Sequence, residues 1–471
     1  MIESLINHDA DLKQMAKTLG CRMKDLLVLA KKNEPFRAGR SPAERKKAEW
    51  FADLWHRLGY DGQTGLYLRR VHYAIISQEE QILKPDGEPY RNIGTDFNYL
   101  CESGKYARYI RLVDPKAFID RRNPDPHIYS GMYPLFDPDE EPHWTVSNEW
   151  EFNDGWRIPS IYPISFYDSY WNLPEFEVDG FDYDESLQPY HIEIWCEKGT
   201  QNDILLPICR RYGVNLVTTI GFPSITAVIQ LLERIKRIGK PTRIFYISDF
   251  DPAGEKMPTS VSRQIEYWLN FYDLDFDIKL APLVLTKEQV REYNLPRVPI
   301  KETDLRKKNF ELNYGEGGVE LDALEALHPG ELARILTEKI LEFRDEDLEK
   351  KIDRANETFD ANVAKIWEEN IEPYQDDLDK IKEEIEPILE KYNRNLESLN
   401  NELQDEVKPI KNRLENLRHV ITFTIDDIEV DLPEKPHAEV CSHPSNEWLF
   451  DSKRDFLEQM KHYRQSRERA R

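Results

Sequence analysis

From His191 onward, short apolar runs alternate with longer stretches in which apolar residues recur every three or four positions. HIEIWC, VNLVTTI and TRIFYIS are rich in β-branched and aromatic residues and predict strands. NDILLPICRRYG and SITAVIQLLERIKRIG keep helical spacing, and each closes on a glycine suited to ending a helix. A helix around SVSRQIEYWLNFY and a strand over DFDIKLAPLVL continue the series. Strands joined by helices predict an α/β fold for residues 191–340, a mostly parallel sheet with helices on both faces.

The flanking segments have other textures. Residues 1–63 predict helices: DLKQMAKTL and MKDLLVLAKK space apolar residues by threes and fours, and SPAERKKAEWFADLWHRLG begins with a serine cap and a proline at the first helical position. Residues 64–130 pass from a short helix (LRRVHYAIIS) through a turn (KPDGEPY) to a second helix (TDFNYLCESGKYARYI), which suits a winged-helix type of DNA-binding domain. Residues 131–190 are acidic, aromatic and proline-rich without a period, and predict an irregular linker or insertion. Within residues 341–420, Leu378, Ile381, Ile385, Ile388, Tyr392, Leu396, Leu399, Leu403, Val407, Ile410, Leu414 and Leu417 mark a coiled-coil seam. Pro373, Pro387 and Pro409 are expected to kink or break it. An apolar seam must be covered, which points to a homodimer or larger assembly; a charged helix packed along its own domain is the plainer alternative. Residues 421–471 predict a tail helix with a basic end.

With 40% hydrophobic and 11% aromatic residues, sizeable cores are expected. No apolar run approaches the ~20 residues that span a bilayer, and the start lacks a basic and then apolar leader, so a cytoplasmic protein is expected. Five cysteines form no CxxC pair, against a zinc knuckle or a disulfide framework. The net charge of −24 would discourage a nucleic-acid partner, but it is localised. Residues 136–190 hold 14 acids and one base, and residues 341–410 hold 22 acids and 10 bases. Residues 21–125, by contrast, hold 20 Lys/Arg against 15 Asp/Glu, and a binding face depends on local charge.

Glu197 follows the first predicted strand of the sheet, and Asp249 and Asp251 follow the third, in IFYIS-DFDPAG. Ligands of doubly wound sheets gather beyond the carboxyl ends of the strands, so three carboxylates on two strand ends can converge there. Such oxygen donors suit Mg²⁺, which takes few carboxylates together with substrate phosphates. A DxD alone is as readily an Asp-rich turn capping the next helix; the glutamate one βαβ unit earlier makes the metal reading the sharper one. YGEGG, at residues 314–318, lacks the GK[ST] of a phosphate loop and reads as a turn.

WCEKGT, IGFPSIT and SDFDPAG, in that order, resemble the TOPRIM domain of topoisomerases, primases and several nucleases. The DxDPxG form is most similar to the A subunit of type IIB topoisomerase (topoisomerase VI) and its relative, the meiotic double-strand-break transesterase. LRRVHY, GEPYRN, GGVELDAL and WLFDSKRDFLEQ resemble bacterial relatives of that A subunit. The resemblance implies that Glu197, Asp249 and Asp251 hold Mg²⁺ and that Glu197 acts as a general acid; Lys198 and Gly221 fall within matching segments. The relatives carry a nucleophilic tyrosine on a winged-helix domain in a stretch like R-D-I-Y-Y. Here residues 69–73 read Arg-Arg-Val-His-Tyr, which sets Tyr73 on the nucleophile's position, with His72 and Arg70 departing from the pattern. Arg69, four residues earlier, shares a helix face with Tyr73. Arg69, Arg70, Arg121, Arg122 and Lys198 are candidate contacts to a DNA backbone, although Arg121 and Arg122 within DRRNPDPH equally suit a structural Asp–Arg pair.

The expectation is therefore a Mg²⁺-dependent enzyme that cleaves double-stranded DNA, by tyrosine transesterification or metal-assisted hydrolysis. Its setting would be topoisomerase-like or a defence against phage or plasmid DNA. No ATPase motif is present, so energy coupling would need a separate ATPase partner. The rival is a non-catalytic DNA-binding or scaffold subunit, against which three mutually repelling carboxylates speak.

Overall fold

The computed structural model describes residues 9–120, 123–130, 142–146, 171–393, 400–439 and 448–469. The chain forms two units, one of Met1–Phe136, Gln188–Asp345 and Glu439–Arg471, the other of Asp137–Leu187 and Glu346–Ala438.

In the first unit the N-terminal helices follow their caps. After α1 (Asp9–Thr18), α2 (Pro42–Arg57) starts at Ser41, whose hydroxyl accepts the Glu44 N–H while Glu44 accepts the Ser41 N–H at 3.2 Å. MKDLLVLAKK departs from expectation and makes one 3₁₀ turn, Met23–Leu26. The chain then runs past the buried Glu34, whose carboxylate takes the Val28 and Leu29 N–H groups at 3.1 and 3.2 Å, an alternative to helical bonds. Next come α3 (Leu68–Ile76) and α4 (Gly94–Tyr109), with α4 packed on α2 through Phe51 and Gly104. Between α3 and α4, KPDGEPY forms the predicted turn, closed by Lys84 N–H to Glu88 and Tyr90 N–H to Ile82, both 2.8 Å.

In the second unit, β1 (His143–Val146) and β2 (Phe176–Asp179) pair as an antiparallel ribbon, a regular piece in a segment expected to be irregular. Four-residue strands so far apart in sequence leave no local period to read.

Back in the first unit, β3 (His191–Cys196), α5 (Asn202–Arg211), β4 (Asn215–Thr218), α6 (Ile225–Ile238), β5 (Thr242–Ile247), α7 (Met257–Tyr272) and β6 (Ile278–Val284) follow in the predicted order. Four helices succeed them: α8 (Lys287–Glu292), α9 (Lys307–Tyr314), α10 (Asp322–Leu327) and α11 (Glu331–Leu341). Ser224 caps α6, and Gly239 ends it at φ 69°. All residues of β3, β4 and β5 are buried because both sheet faces are covered. Trp195, Val217, Ile244 and Tyr246 meet α6 and α7 through Leu231, Val261 and Trp268. Ile194, Leu216, Phe245 and Ile247 meet α5 and α11 through Leu205, Leu332 and Leu336 on the opposite face.

Inside β3, the fully buried Glu193 carboxylate takes two hydrogen bonds from Arg234 (2.7 and 2.9 Å) and one each from His191 Nε2 and Trp195 Nε1 (3.0 Å). Burial alone would raise its pKa; the Arg234 charge and the hydrogen bonds from His191 and Arg234 outweigh that and hold it far below the usual carboxylate range.

The second unit continues with α12 (Leu348–Asn370), α13 (Tyr374–Asn393) and α14 (Asn400–Asp426). Pro373 lies in the break between α12 and α13, whereas Pro387 and Pro409 are accommodated inside helices. Pairing of Tyr392 with Glu406, Glu384 with Arg413 and Tyr374 with Thr424 makes α13 and α14 antiparallel. Leu378, Ile381, Ile385 and Leu389 meet Val407, Ile410, Leu414 and Ile421, with Trp171 beside them. Over its described residues the periodic seam is thus covered within one chain, and there its apolar stripe does not itself require a second copy. Leu396, Leu399 and the Leu403 side chain lie outside the described residues. Trp144 and Phe176 of the ribbon reach Trp367 of α12, ring centroids 6.2 and 5.1 Å away.

The last residues return to the first unit. β7 (Phe450–Asp451) pairs antiparallel with β6, giving the sheet order β4-β3-β5-β6-β7, and α15 (Phe456–Arg469) buries Phe456, Met460 and Tyr463 in the core. Among the described residues no helix is long and apolar enough to cross a membrane.

Candidate functional site

Strands β3 and β5 are adjacent and parallel, with Cys196 opposite Ile247, so the residues that follow them emerge at the same end of the sheet. The Glu197 N–H extends the ladder to Ile247 O at 3.0 Å, and its carboxylate accepts the Asp249 N–H at 3.3 Å. Burial, reinforced by the charges of Asp249 and Asp251, pushes the Glu197 carboxyl up to about 7. Asp249 is also buried, which raises its pKa against the pull of Lys198 and the Leu321 N–H.

The segment after Asp249 folds tightly on itself. Asp251 Oδ1 accepts the Ala253 and Gly254 N–H groups at 2.8 and 2.7 Å, the turn-capping role that an Asp-rich tip suggests. Gly254 lies so close to the preceding strand end that a Cβ there would stand 2.0 Å from the Asp249 carbonyl oxygen. Glycine is the residue that leaves room for this approach.

A distant segment completes the site. Phe250 and Val319 exchange backbone hydrogen bonds of 2.9 Å each, and Val298 pairs with Gly318. The YGEGG stretch read as a turn therefore leads into a short strap, extended through Gly318 and Val319 and passing into α10 at Leu321 and Asp322, that runs beside the DFD tip. The strap brings the Leu321 N–H to Asp249 Oδ1 at 2.8 Å and adds the carboxylates of Glu320 and Asp322. Lys198 reaches into this group: its Nζ is 2.7 Å from Asp249 Oδ2, in tighter contact with Glu320 Oε2, and 4.0 Å from Asp322 Oδ2. Burial works against the ammonium, but the hydrogen bonds to Asp249 and Glu320 raise its pKa well above the ordinary value. Gln201 and Thr200 (3.4 Å) bond the Asp322 carboxylate from the 3₁₀ turn just before α5.

Sequence reasoning did not single out Glu320 and Asp322; it named Lys198 as a candidate DNA contact, and the structure sets that side chain against these carboxylates. The available signal was the pair of acids Glu320 and Asp322 directly after two glycines, at the passage from the extended residues 318–320 into α10.

The donor set consists of carboxylate oxygens, which suit a hard divalent cation such as Mg²⁺. As the side chains stand, the Lys198 ammonium is the cation among them. Among the described residues no three His, Cys, Asp or Glu side chains are drawn together as a ready cage for an ion. The chemistry of the donors fits Mg²⁺, while their present arrangement is closed around the lysine.

The remaining predicted residues are not brought to this cluster. Tyr73 on α3 is 52% exposed, while Val71, His72 and Ile75 face the interior. His72 is held by Tyr90 Oη at 2.6 Å and Asn92 Oδ1 at 3.1 Å. Arg69 lies over the Phe97 ring, 5.5 Å from its centroid, and Arg70 is exposed. Among the described residues none of these side chains contacts the carboxylates; Arg121 and Arg122 lie outside them.

The fold and the strand-end acids together define an α/β protein with an acidic, lysine-bridged site at the carboxyl edge of a parallel sheet. Compared with known protein families and with curated proteins, the chain matches none.

Proposed function

We propose that this chain is a Mg²⁺-dependent DNA-cleaving enzyme of the TOPRIM type, akin to the A subunit of type IIB topoisomerase, with a winged-helix-like DNA-binding half and a coiled-coil hairpin. The observation that supports it best is the neighbouring, in-register pair β3 and β5, whose ends carry Glu197 and Asp249 in hydrogen-bond contact. Glu197, Asp249 and Asp251 would hold the ion, which when bound neutralises charge on the phosphate oxygens. Cutting two strands calls for two such sites and hence for two copies. A separate ATPase would supply energy if the reaction is topoisomerase-like; without one, the setting is nucleolytic defence.

The exposure of Tyr73 favours its use as the nucleophile, because it leaves the side chain accessible to a substrate phosphate. In that route the phenol gives up its proton as its oxygen attacks phosphorus, a Tyr–O–P bond forms, the bond from phosphorus to a deoxyribose oxygen breaks, and that oxygen takes up a proton. The second reading, a non-catalytic DNA-binding subunit, draws on Lys198, which already neutralises part of the acidic cluster.

The test is cleavage of supercoiled plasmid in Mg²⁺. The double variant Asp249→Ala/Asp251→Ala should lose cleavage and keep DNA affinity; full activity in it would sink the enzyme reading. Tyr73→Phe should abolish a protein–DNA adduct trapped by denaturant. Normal cleavage by Tyr73→Phe, with no adduct from the wild type, would make water the nucleophile.

A further inference from the structure

Lys198 and a divalent ion would claim the same oxygen. Asp249 Oδ1 is committed to the Leu321 N–H at 2.8 Å, which leaves Oδ2 as the oxygen turned to a cation, and Lys198 Nζ holds it at 2.7 Å. The lysine does not depend on Asp249 alone. Glu320 and Asp322, on the strap, offer it two further carboxylates whose side chains are 53% and 54% exposed, against 7% for Asp249. The ammonium therefore bridges an inner, buried acid and an outer, solvated pair. Movement outward would free Asp249 without leaving the lysine unpaired.

We infer that Lys198 is a tethered counter-cation: it holds the inner carboxylates together while no divalent ion is present, and it yields Asp249 Oδ2 to the ion while keeping Glu320 and Asp322. The inference rests on the proposed metal site. Without the ammonium, Asp249 would face Glu197 and Asp251 with its own ion pair gone, and like charges at one strand end oppose assembly. With it, the site is stable when empty, and ion binding becomes an exchange of one cation for another.

Mn²⁺ is the probe, titrated into the full chain and followed by the loss of its free electron paramagnetic resonance signal. Lys198→Met, and Lys198→Gln as a polar variant better tolerated at a partly exposed position, remove the competitor. Both should bind Mn²⁺ about tenfold more tightly than wild type or more, the factor that corresponds to one partly buried ion pair no longer having to be broken. Lys198→Arg, which keeps the charge, should stay near wild type. In thermal melts without ion the neutral variants should unfold earlier, and saturating Mn²⁺ should raise their melting temperature more than that of the wild type. Equal Mn²⁺ affinity in wild type and neutral variants would overturn the exchange while leaving the metal site standing. Weaker binding in the neutral variants would make the lysine an aid to the ion and overturn it as well. No Mn²⁺ binding in any form would remove the metal site itself, and the exchange with it.

Discussion

Replacing Arg234 by methionine tests how the strand that carries Glu197 is held. Glu193 is fully buried in β3, and Arg234 is its paired cation, through two hydrogen bonds of 2.7 and 2.9 Å. Methionine keeps much of the side-chain volume and removes the charge, leaving the carboxylate with His191, Trp195 and Asn215 as hydrogen-bonding neighbours. Breaking a buried pair by deleting one partner costs about 3–5 kcal/mol, which corresponds to a fall in melting temperature on the order of 10 °C. The pH dependence changes as well. In the wild type the folded pKa of Glu193 is depressed, so its stabilisation is complete above the unfolded value near ~4.3 and is lost as pH falls through the folded value. In Arg234→Met the carboxyl is buried without its counter-charge and its folded pKa rises above the unfolded one. The folded state then binds the extra proton, and stability increases as pH is lowered from 7 to 5, by up to ~1.4 kcal/mol per unit. Urea unfolding at pH 5, 6 and 7 reads both effects. The double variant Glu193→Gln/Arg234→Met should recover most of the loss, since the amide oxygen accepts from Trp195 while the amide N–H donates to His191 Nε2 in the tautomer that leaves this nitrogen unprotonated. A loss below about 1 kcal/mol, or no new slope between pH 5 and 7, would refute the reasoning.

Two further substitutions probe features on which the site and the hairpin depend. Gly254→Ala forces a Cβ to within 2.0 Å of the Asp249 carbonyl unless the DFDPAG tip opens; it should lower stability by about 1–3 kcal/mol and reduce plasmid cleavage, whereas wild-type behaviour in both assays would show that the tip adapts. Ile385→Ala empties a fully buried position between α13 and α14 and should cost about 2–5 kcal/mol without altering the sedimentation coefficient; a change in oligomeric state would mean that the seam is shared between chains.

What the sequence made legible was local. Ser41 and Pro42 announced a helix start, glycine announced the end of α6, and the apolar runs at 191–196 and 242–247 announced strands of a sheet covered on both faces. Glu197 and Asp249 could be placed because each directly follows such a run in adjacent βαβ units. Glu320 and Asp322 escaped because they reach the site through the pairing of Phe250 with Val319, a long-range contact with no periodic trace. The helix expected from MKDLLVLAKK lost to a buried carboxylate, Glu34, whose competing hydrogen bonds the apolar spacing does not reveal. The three-and-four spacing of residues 378–417 marked a helix seam but carries no record of whether the partner helix belongs to the same chain.

The strand β7 has a consequence for how the protein is made. Its two residues cover the edge of β6, and the helix behind them fills the same core, yet they are synthesised long after β6, once the whole α12–α14 segment has been translated. At ribosomal speeds of about 5–20 residues per second, β6 waits on the order of ten seconds with its outer backbone groups unpaired. An open edge of that kind is a template for pairing with other nascent chains. The nascent sheet therefore keeps an open edge until the β7 segment emerges, and β7 with the helix behind it acts as the clasp that closes it.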